Sequence, residues 1–228
     1  MPEPRPLAQN SPMPAQSRFL WWAGPPLVRG AGRAFFSLQV EMEAALPPPP
    51  FVLAANHYSH FDSPVIAAAT GMPVRFLALD DLFGVNRFLD WLFLGFGAIP
   101  IPRFRLPIRG VRVALARLDA GEIIGVFPEA TRVSHWGTLP PKRGAAWLAV
   151  RAKVPLVPVA VIGTGRVFGL DNRLHRSQIR VVAGRAIPSD ACDATSLTDR
   201  WADWMTSRID RYPGSEVSGP ARSFHVGR

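Results

Sequence analysis

Phe51-Val52-Leu53-Ala54-Ala55-Asn56-His57-Tyr58-Ser59-His60-Phe61-Asp62-Ser63-Pro64 runs from an apolar stretch straight into a turn that holds two histidines and an aspartate. An apolar run as short as Phe51 to Ala55 suits a buried strand better than a core helix. Ser63-Pro64 then reads as a helix start, because proline has a helical φ and its missing N–H has no partner in a first turn anyway. The stretch is strand, turn, helix. Its reactive side chains stand where the strand ends, at the edge where open α/β sheets place their sites.

The same alternation continues outward in both directions. Strands are predicted at 37–42, 51–55, 74–79, 97–101, 122–126, 156–162 and 178–183, and helices at 63–70, 81–94, 108–119, 143–152 and 195–210. Short apolar runs alternating with crossover helices define the α/β class, here a single domain with a mostly parallel or mixed sheet flanked by helices. The 228 residues suffice for one such core. Residues 1–17 are proline-rich and expected to be a disordered lead-in, 18–212 form the domain, and 213–228 are a loose Gly/Ser/Arg-rich tail. Within the domain, Arg18 to Phe36 mixes arginines with aromatic and aliphatic residues. It fits a membrane-interface segment and equally a helix packed on the core, and Pro25-Pro26 argues against one unbroken helix.

Composition narrows the function classes. With 48% hydrophobic and 19% charged residues the chain is not disordered throughout. Its 26 Lys+Arg against 17 Asp+Glu, net +9, favour anionic partners such as nucleic acid, lipid headgroups or phosphate-bearing substrates. The arginines are dispersed, and no RNP-like block, zinc-finger spacing or basic heptad helix occurs, so nucleic acid is not the expected partner. Cys192 is the only cysteine, which excludes an intrachain disulfide and a thiolate metal cluster. No uncharged apolar run is long enough to span a bilayer, so the chain is expected to lie on a membrane rather than cross it.

Across the turn, His57 and Asp62 can curl towards each other, with the carboxylate accepting one imidazole N–H and the other ring nitrogen left to accept a hydroxyl proton. Alternatively, Asp62 or Ser63 caps the following helix and His57 is an ordinary loop residue. On these residues alone both readings stand. A metal on His57, His60 and Asp62 would lack a distant fourth ligand, and Ser59 lacks the glycine-flanked elbow of a serine nucleophile, so neither is expected. Gly97-Ala98-Ile99-Pro100-Ile101-Pro102-Arg103 and Phe127-Pro128-Glu129-Ala130-Thr131-Arg132 each follow or end a strand with charge, and so deliver it to the same sheet edge as His57. Val154-Pro155-Leu156-Val157-Pro158-Val159 reads as a core strand.

NHxxxxD, GxIxIxR, FPExTR and VPxVPV, in that order over residues 37 to 185, resemble the glycerophospholipid acyltransferase family typified by bacterial 1-acylglycerol-3-phosphate acyltransferase. The resemblance implies an O-acyltransferase of phospholipid biosynthesis that moves a fatty acyl group from an acyl thioester, acyl-CoA or acyl carrier protein, to a lysophospholipid hydroxyl. No permanently bound cofactor is implied. It assigns catalysis to His57 and Asp62 and acceptor binding to Arg103, Glu129, Thr131 and Arg132. Because both substrates would carry acyl chains, and Arg18 to Phe36 offers aromatic residues and arginines beside a basic surface, a peripheral protein on an anionic membrane surface, at the cytoplasmic face, is expected, and the Ala-, Arg- and Pro-rich composition is of the kind GC-rich bacteria encode. Lys142-Arg143-Gly144 is similar to the basic step before the family's next helix. Two positions depart from the family: Ala130 stands where glycine is usual and Pro102 where aspartate is common. A positive φ at position 130 would strain an alanine.

Overall fold

The computed structural model describes residues 15–84, 86–102, 107–167, 175–190 and 192–212. The central sheet is built from β1 (Gln39–Met42), β2 (Val52–Ala55), β3 (Val74–Leu79), β4 (Ile99–Ile101), β5 (Ile123–Val126), β6 (Leu156–Ile162) and β7 (Arg180–Ala183), in the order β1-β7-β6-β2-β5-β3-β4. β2 to β6 are mutually parallel, β7 runs antiparallel to β6, and β1 is parallel to β7. The sheet is therefore mixed. Fully buried β2, β5 and β6 read as the near-continuous apolar runs that a sheet covered on both faces requires.

Two apolar clusters cover the two faces. On one, α4 (Ile108–Asp119), α5 (Gly144–Ala152) and α7 (Ala194–Ile209) bring Ala114, Leu118, Leu148, Leu197, Trp201 and Met205 against the sheet. On the other, α2 (Asp62–Thr70) contributes Val65, Ile66 and Ala69 beside Phe51, Leu53 and Val159. β2 and β5 are adjacent, with Leu53 opposite Gly125. The chain leaves them in opposite directions, towards β3 through α2 and towards β6 through α5. That divergence makes their C-terminal ends the switch point of an open α/β sheet, where such folds place their sites.

Several expectations need correction. Arg18 to Phe36 lies within one helix, α1 (Ala15–Phe36), with Pro25 and Pro26 inside it. Proline's φ is itself helical, and of the two carbonyls that lose a donor, that of Trp22 belongs to a residue 76% exposed, where water can take the donor's place. Packing holds the helix. Ser17, Leu20, Pro25 and Gly32 face inward, Trp21 meets Phe96 edge-on at 5.1 Å between centroids, and the Leu38 N–H bonds the Gly32 carbonyl. The predicted helix 81–94 is divided: a single 3₁₀ turn covers Asp80–Leu82, Gly84 takes φ 83°, and α3 (Arg87–Gly95) starts anew. Asn86 sets that start by accepting the Phe88 and Leu89 N–H groups through its side chain. A short helix at Thr164–Val167, α6, was not anticipated. Of the expected lead-in 1–17, residues 15–17 are not disordered but already belong to α1; residues 1–14 and the tail from 213 lie outside the described residues.

Candidate active site

β2 is followed by Asn56, fully buried, whose amide donates to the Val161 carbonyl and accepts the Val161 N–H, both at 2.7 Å. This two-point bond replaces a ladder step and fixes the chain where it leaves the sheet. His57 follows. Its Nδ1 lies 2.9 Å from Asp62 Oδ2, and the same oxygen accepts the N–H of Tyr58 at 2.7 Å and of Ser59 at 2.8 Å. An oxygen already accepting two main-chain N–H groups takes a donor as its third partner, so Nδ1 carries the proton and Nε2 is the acceptor. Asp62 is 0% exposed and the His57 side chain 18%. α2 has no side-chain cap, so Asp62 serves the turn and the imidazole rather than the helix end.

The loop after β5 closes on this turn. Phe127 stacks on the His57 ring at 4.0 Å between centroids and 12° between planes, and Phe76 stacks on Phe127 at 5.2 Å. Gly125 makes the room: a Cβ there would sit 2.5 Å from the Phe76 ring. The His57 N–H donates to Glu129 Oε2 at 2.9 Å, and the Val133 N–H donates to the His57 carbonyl at 2.9 Å. The histidine is therefore gripped by main chain, ring and Nδ1 together.

Ala130 adopts φ 58° in the turn closed by its N–H to the Phe127 carbonyl, at 2.9 Å. The strain foreseen for an alanine at this position is present.

Electrostatics separates the acids. Burial pushes the Glu129 carboxyl up to about 8, the nearby Asp62 adds to the rise, and the His57 N–H works against it. Partial burial holds the His60 imidazole below the usual histidine value, with Arg132 and His57 acting the same way and Asp62 opposing. At neutral pH Glu129 is thus mainly a neutral acid.

Of the six residues proposed from sequence, His57, Asp62 and Glu129 come together directly. Thr131 and Arg132 are half-buried on the same loop, and Arg103 lies outside the described residues. Sequence reasoning missed the Asn56 clasp and the Phe76–Phe127–His57 stack; the glycine inside strand β5 was the available signal for the latter. It also left Arg75 and Arg117 unplaced. Both are buried and pair with Glu122, at the opposite edge of the sheet from His57. Among the described residues no group of three or more His, Cys, Asp or Glu is arranged to hold a metal ion.

Fold and site together define an α/β domain with an aspartate-fixed histidine at the C-terminal edge of its sheet. The chain belongs to the Acyltransferase family, whose model matches residues 37–162. It is 33% identical over 116 residues to the 1-acyl-sn-glycerol-3-phosphate acyltransferase of Bacillus subtilis, covering 50% of this chain and 56% of that protein. To the human 1-acyl-sn-glycerol-3-phosphate acyltransferase alpha it is 31% identical over 182 residues, 72% of this chain and 62% of that one. To the chloroplastic enzyme BAT2 of Brassica napus it is 26% identical over 148 residues, 63% of this chain and 42% of that one. The chain thus spans about half the length of such curated relatives. It shares its fold with the crystal structure of the 1-acyl-sn-glycerophosphate (LPA) acyltransferase PlsC from Thermotoga maritima, with a TM-score of 0.72 at 19% identity, covering 86% of this chain and 80% of that one.

Proposed function

We propose that this protein transfers a fatty acyl group from acyl-CoA or acyl carrier protein to the free hydroxyl of a lysophospholipid, 1-acylglycerol-3-phosphate first among them. The observation that carries the reading is the His57–Asp62 pair, with Nδ1 bonded and Nε2 left as acceptor. Nε2 takes the proton of the acceptor hydroxyl as its oxygen attacks the thioester carbonyl. The C–S bond then breaks, and the thiolate leaves with the proton that His57 held. Asp62 fixes the tautomer and stabilises the imidazolium in between. No acyl-enzyme forms, because the substrate supplies the nucleophile. Arg132, Arg103 and Thr131 bind the acceptor's phosphate, for which arginine's planar fork is suited.

The reaction takes place at a membrane's cytoplasmic face, which the protein reaches peripherally. Supporting this, α1 exposes Arg18, Phe19, Trp22, Leu27, Arg33 and Phe35, a pairing of apolar and basic groups that suits an anionic lipid surface. No helix among the described residues is long and apolar enough to cross a membrane. A panel of lysolipid and other lipid-alcohol acceptors, each offered with one labelled acyl thioester, tests the assignment. Incorporation into 1-acylglycerol-3-phosphate supports it, and a preference for an acceptor without phosphate refutes it.

A further inference from the structure

The Glu129 carboxyl, by sequence resemblance, would bind the acyl acceptor. Its surroundings point elsewhere. The residue is 3% exposed, its Oε2 is occupied by the His57 N–H, and its Oε1 is buried without a hydrogen-bond partner. Neither oxygen faces a path by which a solvated phosphate could arrive, and a charged carboxyl there would repel one. The hydrogen bond its side chain accepts comes instead from the main chain of the base. We propose that Glu129 is a positioning residue, which holds the main chain of His57 and thereby aims its ring, and that it does not touch the acceptor.

Three attachments share that task. Asp62 takes the ring at Nδ1, Phe127 takes its face, and Glu129 takes the main chain one residue beyond the Asn56 clasp. Glu129 and Phe127 ride on the same loop, so movement of that loop shifts the stacking surface and the main-chain anchor together. The raised affinity of Glu129 for a proton agrees with a role that needs only a neutral acceptor oxygen. A carboxylate so close to Asp62 would add a second negative charge beside the imidazole, and the neutral acid avoids it. A carboxamide would serve as well, and that is the basis of the test.

The inference rests on His57 being the general base, so its test needs one readout that does not depend on turnover. Full-length wild type, Glu129→Gln and Glu129→Ala are compared in kcat and in KM for 1-acylglycerol-3-phosphate, and by NMR of the His57 Nδ1 proton. The glutamine variant keeps an oxygen for the His57 N–H and should hold both constants within about threefold of wild type. The alanine variant should lose roughly 10- to 100-fold in kcat through misplacement of the base, with the acceptor KM unchanged. Its Nδ1 proton signal should shift or vanish, while that of the glutamine variant stays. A tenfold or greater rise of acceptor KM in Glu129→Gln would overturn the proposal, since a ligand's charge would then matter. So would an alanine variant with wild-type kcat. If alanine prevents folding, the glutamine constants decide. If the wild type transfers no acyl group, the functional reading fails by itself, and the NMR comparison still decides: an unchanged His57 signal in both variants rules the positioning role out.

Discussion

Asp62 Oδ2 accepts three hydrogen bonds from the span Asn56 to Asp62, two from main-chain N–H groups and one from the base. A side chain so committed orients His57 and shapes the turn at once, and asparagine could reproduce only part of it. Ala130 shows the opposite situation, a residue at odds with its backbone. Its φ of 58° lies in the left-handed region, where a Cβ costs about 1–2 kcal/mol, offset in part by the greater freedom glycine brings to the unfolded chain. Ala130→Gly should therefore raise stability by about 0.5–1 kcal/mol, seen as a thermal midpoint higher by roughly 1–3 °C. An unchanged or lower midpoint would mean the turn relaxes without strain. Arg132→Ala removes a charge-assisted hydrogen bond in the proposed function, worth about 1.5–3 kcal/mol, and should raise the acceptor KM roughly 10- to 150-fold with little effect on the acyl donor. A change confined to donor kinetics would place Arg132 against the carrier instead.

At the scale of elements, what the sequence made legible follows physical pattern. Predicted 74–79, 108–119 and 156–162 coincide with β3, α4 and β6, because short apolar runs and a clear helical period need no partner to be read. The failures sit where tertiary contact overrides local preference. α1 keeps two prolines because packing stabilises it, against Leu38 just past its end and against Phe96, which lies far along the chain. Of the two readings of that segment, the packed helix is what the structure shows, and the same helix keeps Phe19 and Trp22 exposed. In the site, His57 and Asp62 were legible because one turn carries both. The Glu129 anchor joins positions 72 residues apart, and no spacing rule could reveal it. The exposed face of α1 gives an element-level prediction. Phe19→Ser with Trp22→Ser should weaken co-sedimentation with anionic liposomes at least tenfold, since each apolar side chain moved from water contributes about 1.5–3 kcal/mol. The melting temperature should hold, because both residues are exposed, at 60% and 76%. Undiminished sedimentation would remove α1 from the membrane account.

For the whole molecule, one buried acid links stability to pH. Glu129 has a folded value of about 8 against an ordinary 4.5, so the folded chain holds its proton more tightly than the unfolded chain. Its contribution is fully present below the ordinary value and is lost as pH rises towards about 8. Replacement by glutamine removes this dependence. Denaturant unfolding from roughly pH 5 to 8 should show wild type losing up to a few kcal/mol relative to Glu129→Gln, and parallel profiles would contradict the buried neutral acid.

In the proposed function an aspartate-fixed His57 is the general base for acyl transfer to a lysophospholipid hydroxyl. The most direct measurement is turnover of a labelled acyl thioester with 1-acylglycerol-3-phosphate by purified wild type, Asp62→Asn and His57→Ala, each shown to be folded. General-base catalysis of this kind is worth about 10²–10⁴-fold, so His57→Ala should lose that much in kcat while still binding acceptor, and Asp62→Asn should fall between it and wild type. Wild-type turnover by a folded His57→Ala protein would contradict the account.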